Sequence, residues 1–214
     1  MKRTLISSLI AAALGATAIG SVQANVIYNN IPNGGGIAPL AVPNTTTYGE
    51  VFSVPSGGNN VLDSFGFYVQ GSLASLFGGV AQWTGAGAGP ALFTSGPVAA
   101  NYGSYTLIDF NTGGITLTPG LEYVAYFSSY GIAGDSGSDT MEAGSGSPIN
   151  VGMSWDNSNG GSPNNPNWSG CHACTWINPA YTMTFSHSVP EPVSIALLGF
   201  GLIGMSTARR QYRR

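Results

Sequence analysis

The chain's two cysteines stand together in Cys171-His172-Ala173-Cys174, a spacing that serves redox exchange, metal binding or a local disulfide. Thioredoxin-like redox chemistry needs a βαβ context, which no stretch of this chain supplies. Haem attachment needs His directly after the second Cys, where this chain has Thr175. A zinc site would have to draw four ligands from Cys171, Cys174, His172 and His187, with His172 awkwardly placed between the thiols. An oxidising compartment favours the disulfide, so Cys171 and Cys174 are expected to be bridged and to pin a loop, with metal and redox roles as the alternatives.

Two further clusters carry potential chemistry. Asp135, Asp139 and Glu142 fall within eight residues, a density of hard oxygen ligands suited to Ca²⁺, although the spacing is not that of an EF-hand and a solvated acidic loop is the rival reading. No cofactor is expected otherwise. Trp155, Trp168 and Trp176 are interleaved with Asn157, Asn159, Asn164, Asn165 and Asn167. Flat indoles cover the apolar faces of sugars while amides bond their hydroxyls, so these three tryptophans form a candidate glycan-binding surface. Each is equally suited to core packing or loop anchoring. No catalytic residue is assigned. Glycoside hydrolysis needs two carboxylates facing one cleft, Gly144-Ser145-Gly146 lies in low-complexity sequence, and the two histidines are His172 and His187. The expectation is a protein that is not an enzyme.

Charge is distributed unusually. Charged residues make up 7% of the 214-residue chain, against about 25% in ordinary domains. The six basic residues are Lys2, Arg3, Arg209, Arg210, Arg213 and Arg214, so none lies between Arg3 and Arg209. Within that interval, residues 25–188 hold Glu50, Asp63, Asp109, Glu122, Asp135, Asp139, Glu142 and Asp156. Nucleic-acid binding is excluded, because that affinity comes from Lys and Arg neutralising phosphates. A cation-free middle between cationic ends fits translocation across a membrane.

The ends agree. Met1-Lys2-Arg3 is a positive n-region, Leu5 to Ile19 a short apolar stretch, and Val22-Gln23-Ala24 places small residues at −3 and −1. Residues 1–24 therefore read as a signal peptide cleaved between Ala24 and Asn25, with the Sec translocon and signal peptidase as partners. At the other end Val189-Pro190-Glu191-Pro192 precedes an apolar segment, Val193 to Ala208, and a basic stop containing Arg209, Arg210, Arg213 and Arg214. A helix can begin only after Pro192, and 193–208 would span about 24 Å, somewhat short of a bilayer core of about 30 Å. This tripartite tail, 189–214, resembles the PEP-CTERM sorting signal, the motif being Val189, Pro190, Glu191 and Pro192. The resemblance implies recognition by an exosortase, transient or permanent membrane anchoring through a C-terminal transmembrane helix, and an inner-membrane-held precursor that reaches the cell surface or extracellular matrix of an exopolysaccharide-producing Gram-negative bacterium. An ordinary C-terminal anchor reads alike by hydropathy.

The elements that must position these residues are strands. Thr46 to Val54, Val61 to Val69, Gly79 to Thr84, Ala91 to Thr94, Tyr105 to Phe110, Leu121 to Ser128, Val151 to Trp155 and Tyr181 to Ser186 are β-rich runs separated by Gly, Pro, Asn and Ser clusters. They predict an all-β fold, a single antiparallel sandwich over residues 25–188, with a long Gly/Asn/Trp loop at about 140–179. Gly49 to Pro55, Val61 to Phe67, Pro90 to Thr94 and Leu117 to Tyr123 resemble the jelly-roll-like domain of anchored bacterial surface proteins, a sandwich related to carbohydrate-binding modules. The expected work is non-catalytic association with exopolysaccharide, or a structural role in the matrix; the alternative is a carbohydrate-active enzyme.

Overall fold

A computed structural model describes residues 25–134, 139–156 and 162–187, all within one compact unit, Asn25–Ser188. Ala24, the motif Val189–Pro192, the 193–208 segment, the arginine cluster and Asp135 lie outside the described residues.

Among the described residues every regular element is a strand. In chain order they are β1 (Val26–Leu40), β2 (Thr47–Ser53), β3 (Val61–Gly71), β4 (Ser75–Trp83), β5 (Ala88–Thr94), β6 (Val98–Ala99), β7 (Tyr102–Thr116), β8 (Glu122–Ser128), β9 (Asp139–Ser145), β10 (Asn150–Asp156) and β11 (Tyr181–Ser186). The eight expected runs each overlap a strand, and the all-β antiparallel sandwich is the observed fold. Strands β1, β6 and β9 were not expected. Pro32, Pro39 and three consecutive glycines disguise β1, whose ladder is broken by two bulges, between Pro32 and Gly36 and between Ile37 and Leu40. The expected loop at 140–179 is corrected: β9 and β10 occupy much of it, leaving 162–180 as the irregular segment.

Two antiparallel sheets face each other. The first has four columns. Strand β1 pairs with β11 over Val26–Asn30 and with β9 from Ile31 to Leu40, while β3 pairs with β11 over Val61–Phe67 and with β9 at Val69 and Gln70. Strands β11 and β9 therefore share one column between β1 and β3, and β7 closes the far side. The second sheet runs β10-β2-β8-β4-β5, with β6 on β4.

Alternation along each strand decides what lies between the sheets. Phe65, Phe67 and Val69 of β3, Ile108 and Phe110 of β7, and Tyr181, Met183 and Phe185 of β11 meet Tyr48 and Phe52 of β2 and Phe127 of β8 in one core. An edge contact of Phe52 with Phe185, centroids 6.0 Å apart, and a tilted contact of Phe67 with Phe127 at 5.0 Å join the sheets. Phe65 touches Phe67, Phe93 and Phe110 at once.

Removing that ring should cost about 3–5 kcal/mol, the range for a buried Phe→Ala cavity. A Phe65→Ala variant that melts within a degree of the parent would contradict this placement of the core.

Candidate functional site

The outward face of the second sheet is covered by residues 162–176. Val51, Ala81, Val124, Tyr126 and Trp83 point away from the main core, and Trp168 is inserted among them as a second apolar cluster. Trp168 is 1% exposed, packs edge-on against Trp83 and Tyr126 at 5.8 and 6.2 Å, and donates its indole N–H to the Pro163 carbonyl at 2.9 Å. Its reading as part of a sugar-binding surface is therefore corrected: a ring enclosed on every side offers no face to a ligand. The Tyr126 hydroxyl donates to Asn164 Oδ1 at 2.9 Å, and burial pushes it up to about 12, so it stays protonated at neutral pH. Gly87 lets the loop lie this close, since a Cβ there would strike the backbone at Asn165 and Pro166.

The other two tryptophans differ. Trp176 is 73% exposed and stands perpendicular to half-buried Trp155, centroids 6.2 Å apart; Trp155 in turn packs on Tyr48. Of the three expected surface indoles, the structure leaves Trp176 open, with Trp155 as its support.

Cys171 and Cys174 are paired in a disulfide, their Cα atoms 6.0 Å apart, within the usual range. The bridged turn binds the free edge of β10. Met153 and Cys174 exchange backbone hydrogen bonds at 3.0 and 2.8 Å, Trp155 N–H donates to the Cys171 carbonyl at 3.3 Å, and Gly170 N–H donates to the Trp155 carbonyl. The disulfide thus holds a strap that covers an otherwise open sheet edge. His172 Nε2 donates to the Trp168 carbonyl at 2.6 Å, tying the turn to the buried indole.

The acidic cluster is not one loop, contrary to expectation. Asp139 and Glu142 belong to β9, three residues apart on a strand, and so point to opposite sides of the sheet. Asp139 is fully buried, accepting from Ser72 N–H at 2.6 Å and Leu73 N–H at 3.1 Å. Glu142 accepts from Gly34 N–H at 3.3 Å. Asp139 thereby fixes the turn after β3 and Glu142 the bulged part of β1.

Glu50 was not singled out as a candidate. It lies on β2 with the same parity as Tyr48 and Phe52, so it faces the core, and it is fully buried. Neither carboxyl oxygen makes a hydrogen bond of normal geometry. Burial holds its pKa well above the usual carboxylate range, partly offset by the Gly152 backbone. Burial likewise raises the Tyr181 hydroxyl, with Glu50's charge adding to it.

Residues 188–214 match the PEP-CTERM protein-sorting motif. The chain therefore carries a sorting tail and is an exported, membrane-passing precursor processed by an exosortase. No curated protein matches the chain. Among solved structures, a clostridial cysteine protease after propeptide cleavage is similar with a TM-score of 0.52 and 12% identity, over 77% of this chain and 40% of that one. This chain thus spans well under half of the protease's length, and the likeness concerns the β fold alone. A structure of infectious bursal disease virus aligns over 90% of this chain and 54% of that chain at 13% identity and a TM-score of 0.23.

Reducing the disulfide, or replacing both cysteines by Ser, should cost about 2 kcal/mol for so short a loop. Amide exchange at Met153 and Trp155 should accelerate more than at Phe67; uniform protection would show that the strap does not depend on the bridge. Glu50 sets a pH dependence. Its folded pKa is raised, so its contribution favours folding most below the unfolded value of 4.5 and is lost as pH rises toward the folded value, at up to about 1.4 kcal/mol per pH unit. Glu50→Gln should flatten that slope in denaturant titrations from pH 4 to 8. Parallel stability profiles for the two proteins would refute a neutral Glu50.

Proposed function

We propose that this exosortase-sorted protein acts outside the cell without catalysis, its sandwich associating with the exopolysaccharide of the matrix into which the tail delivers it. The observation that carries the reading is Trp176, a large aromatic left 73% exposed and held upright against Trp155. An indole fixed in that way presents a flat apolar face at little entropic cost, as sugar-binding aromatics do. The absence of Lys and Arg from 25–188 suits a partner recognised by stacking and hydroxyl contacts rather than by charge.

A non-catalytic role is supported by how the titratable side chains are employed. His172 is engaged with the Trp168 carbonyl, Asp139 and Glu142 hold backbone amides, and Glu50 lies enclosed in the core. A matrix-degrading enzyme is the competing reading, and it predicts shortening of the polymer during incubation.

The test is co-sedimentation of the exported protein with the producing bacterium's own exopolysaccharide. Saturable binding without loss of polymer length is expected, weakened at least tenfold in Trp176→Ala with an unchanged melting curve. Absence of binding by the parent protein would overturn the reading.

A further inference from the structure

The strap that carries Trp176 is built around one unfavourable residue. Ala173 has a φ of 48°, in the left-handed region that the Cβ of an L-residue disfavours, and it stands between the bridged Cys171 and Cys174. Its N–H donates to the buried Ser154 hydroxyl at 2.7 Å, and the next residue, Cys174, exchanges its pair of backbone bonds with Met153. The fit is close. A Cβ on Gly152 would lie 2.5 Å from the Ala173 carbonyl, and one on Gly170 would strike the Trp155 ring. The left-handed turn is therefore the shape in which the strap lies flat on β10.

Both indoles of the exposed pair hang on this turn. Trp176 follows Cys174 by two residues. Trp155, against which it stands, gives its N–H to the Cys171 carbonyl and takes the Gly170 N–H on its own carbonyl. The bridge closes a loop of only four residues, Cys171 to Cys174, so it gains little from loop closure, and the unfavourable backbone at Ala173 subtracts from that small gain. Neither cysteine is buried in the core and His172 between them is exposed, so the turn is open to a thiol reagent. Surface disulfides that hold strain are the reducible ones.

We propose that the Cys171–Cys174 bridge is a redox-sensitive clasp: oxidised, it holds the Trp176 face in its binding geometry, and reduced by an exported dithiol it releases that face. The inference rests on the reading of Trp176 as the matrix contact and adds the regulation of that site. A thiolate of the reductant attacks one bridge sulfur, forming a mixed disulfide and freeing the other cysteine as a thiol. The reductant's second thiolate then displaces the first cysteine. The reductant leaves as a disulfide, and two electrons and two protons have passed to Cys171 and Cys174. Without the bridge Ala173 turns back to negative φ. That rotation carries the Cys174 N–H and carbonyl away from Met153, uncovers the edge of β10 and leaves Trp176 without its fixed stance against Trp155. The core around Phe65 and Phe67 lies between the sheets and takes no part.

The experiment measures co-sedimentation of the exported protein with the producing bacterium's exopolysaccharide after incubation in dithiothreitol, after reoxidation, and for Cys171→Ser/Cys174→Ser. Free thiols are counted and amide exchange is followed in each sample. The expected result is that both thiols appear in the native protein, that binding weakens about fivefold or more, and that it recovers on reoxidation, the double-serine variant matching the reduced protein. Exchange should speed up at Met153 and Trp155 while Phe67 keeps its protection. Ala173→Gly removes the backbone penalty, so its bridge should be reduced about fivefold less readily at equilibrium with dithiothreitol. Fully reduced protein that binds as tightly as oxidised protein overturns the clasp and leaves the matrix-binding reading intact. A bridge that resists dithiothreitol until the protein is denatured also overturns it, as does loss of protection at Phe67 in step with loss of binding. Oxidised protein that does not bind overturns both readings.

Discussion

The burial of Trp168 governs the organisation of this domain. A β-sandwich has two outward faces, and a run of Val51, Ala81, Trp83, Val124 and Tyr126 makes one of them too apolar to leave wet. A loop rich in Gly, Asn and Pro has little hydrophobic surface with which to cover it. One indole supplies most of what is needed, because an aromatic side chain buries roughly 150–250 Å². Everything nearby follows from seating that ring: the 2.9 Å bond from Trp168 N–H to the Ala86 carbonyl, the Thr84 hydroxyl donating to the Pro166 carbonyl at 2.9 Å, the His172 bond to the Trp168 carbonyl, and the disulfide turn that then reaches the edge of β10. Covering one face also makes the sandwich asymmetric, since among the described residues no second apolar cluster is buried on the outer face of the first sheet.

A second constraint comes from the missing cations. With no Lys or Arg between Arg3 and Arg209, the carboxylates of this domain cannot be neutralised by basic side chains of the same segment. Asp139 meets the constraint with the amides of Ser72 and Leu73, and Asp156 with the N–H and hydroxyl of Ser169 at 3.2 and 2.7 Å. Glu50 meets it differently, by favouring the neutral acid. Burying an ionised carboxylate without a partner costs far more than protonating it, so the core keeps a polar group there at the expense of stability toward alkaline pH.

Much of this was legible in the sequence. Apolar alternation in Leu121 to Ser128 and Tyr181 to Ser186 located strands well because the half of each strand that faces the core is aromatic or aliphatic. Alternation also contained the Glu50 result, since counting by twos from Tyr48 through Glu50 to Phe52 puts the carboxyl on the buried side. What was hidden depended on distant partners. Asp139 and Glu142 look like loop acids because the amides that bind them, at Ser72, Leu73 and Gly34, are more than sixty residues away. Trp168 and Trp176 sit in the same kind of Asn/Gly/Pro surroundings, and only the apolar face of a sheet assembled from β2, β4 and β8 distinguishes the buried ring from the open one.

The position of β11 bears on the order in which the domain can be completed during export. Its six residues are hydrogen-bonded to β1 on one side and β3 on the other, yet they follow all the other strands in the chain. Until they are in place, part of the gap between β1 and β3 stays open and Phe52 lacks its Phe185 neighbour across the sheets. The last strand of the first sheet thus lies directly ahead of the sorting tail in the chain, so the sandwich can be completed only with residues that adjoin that tail.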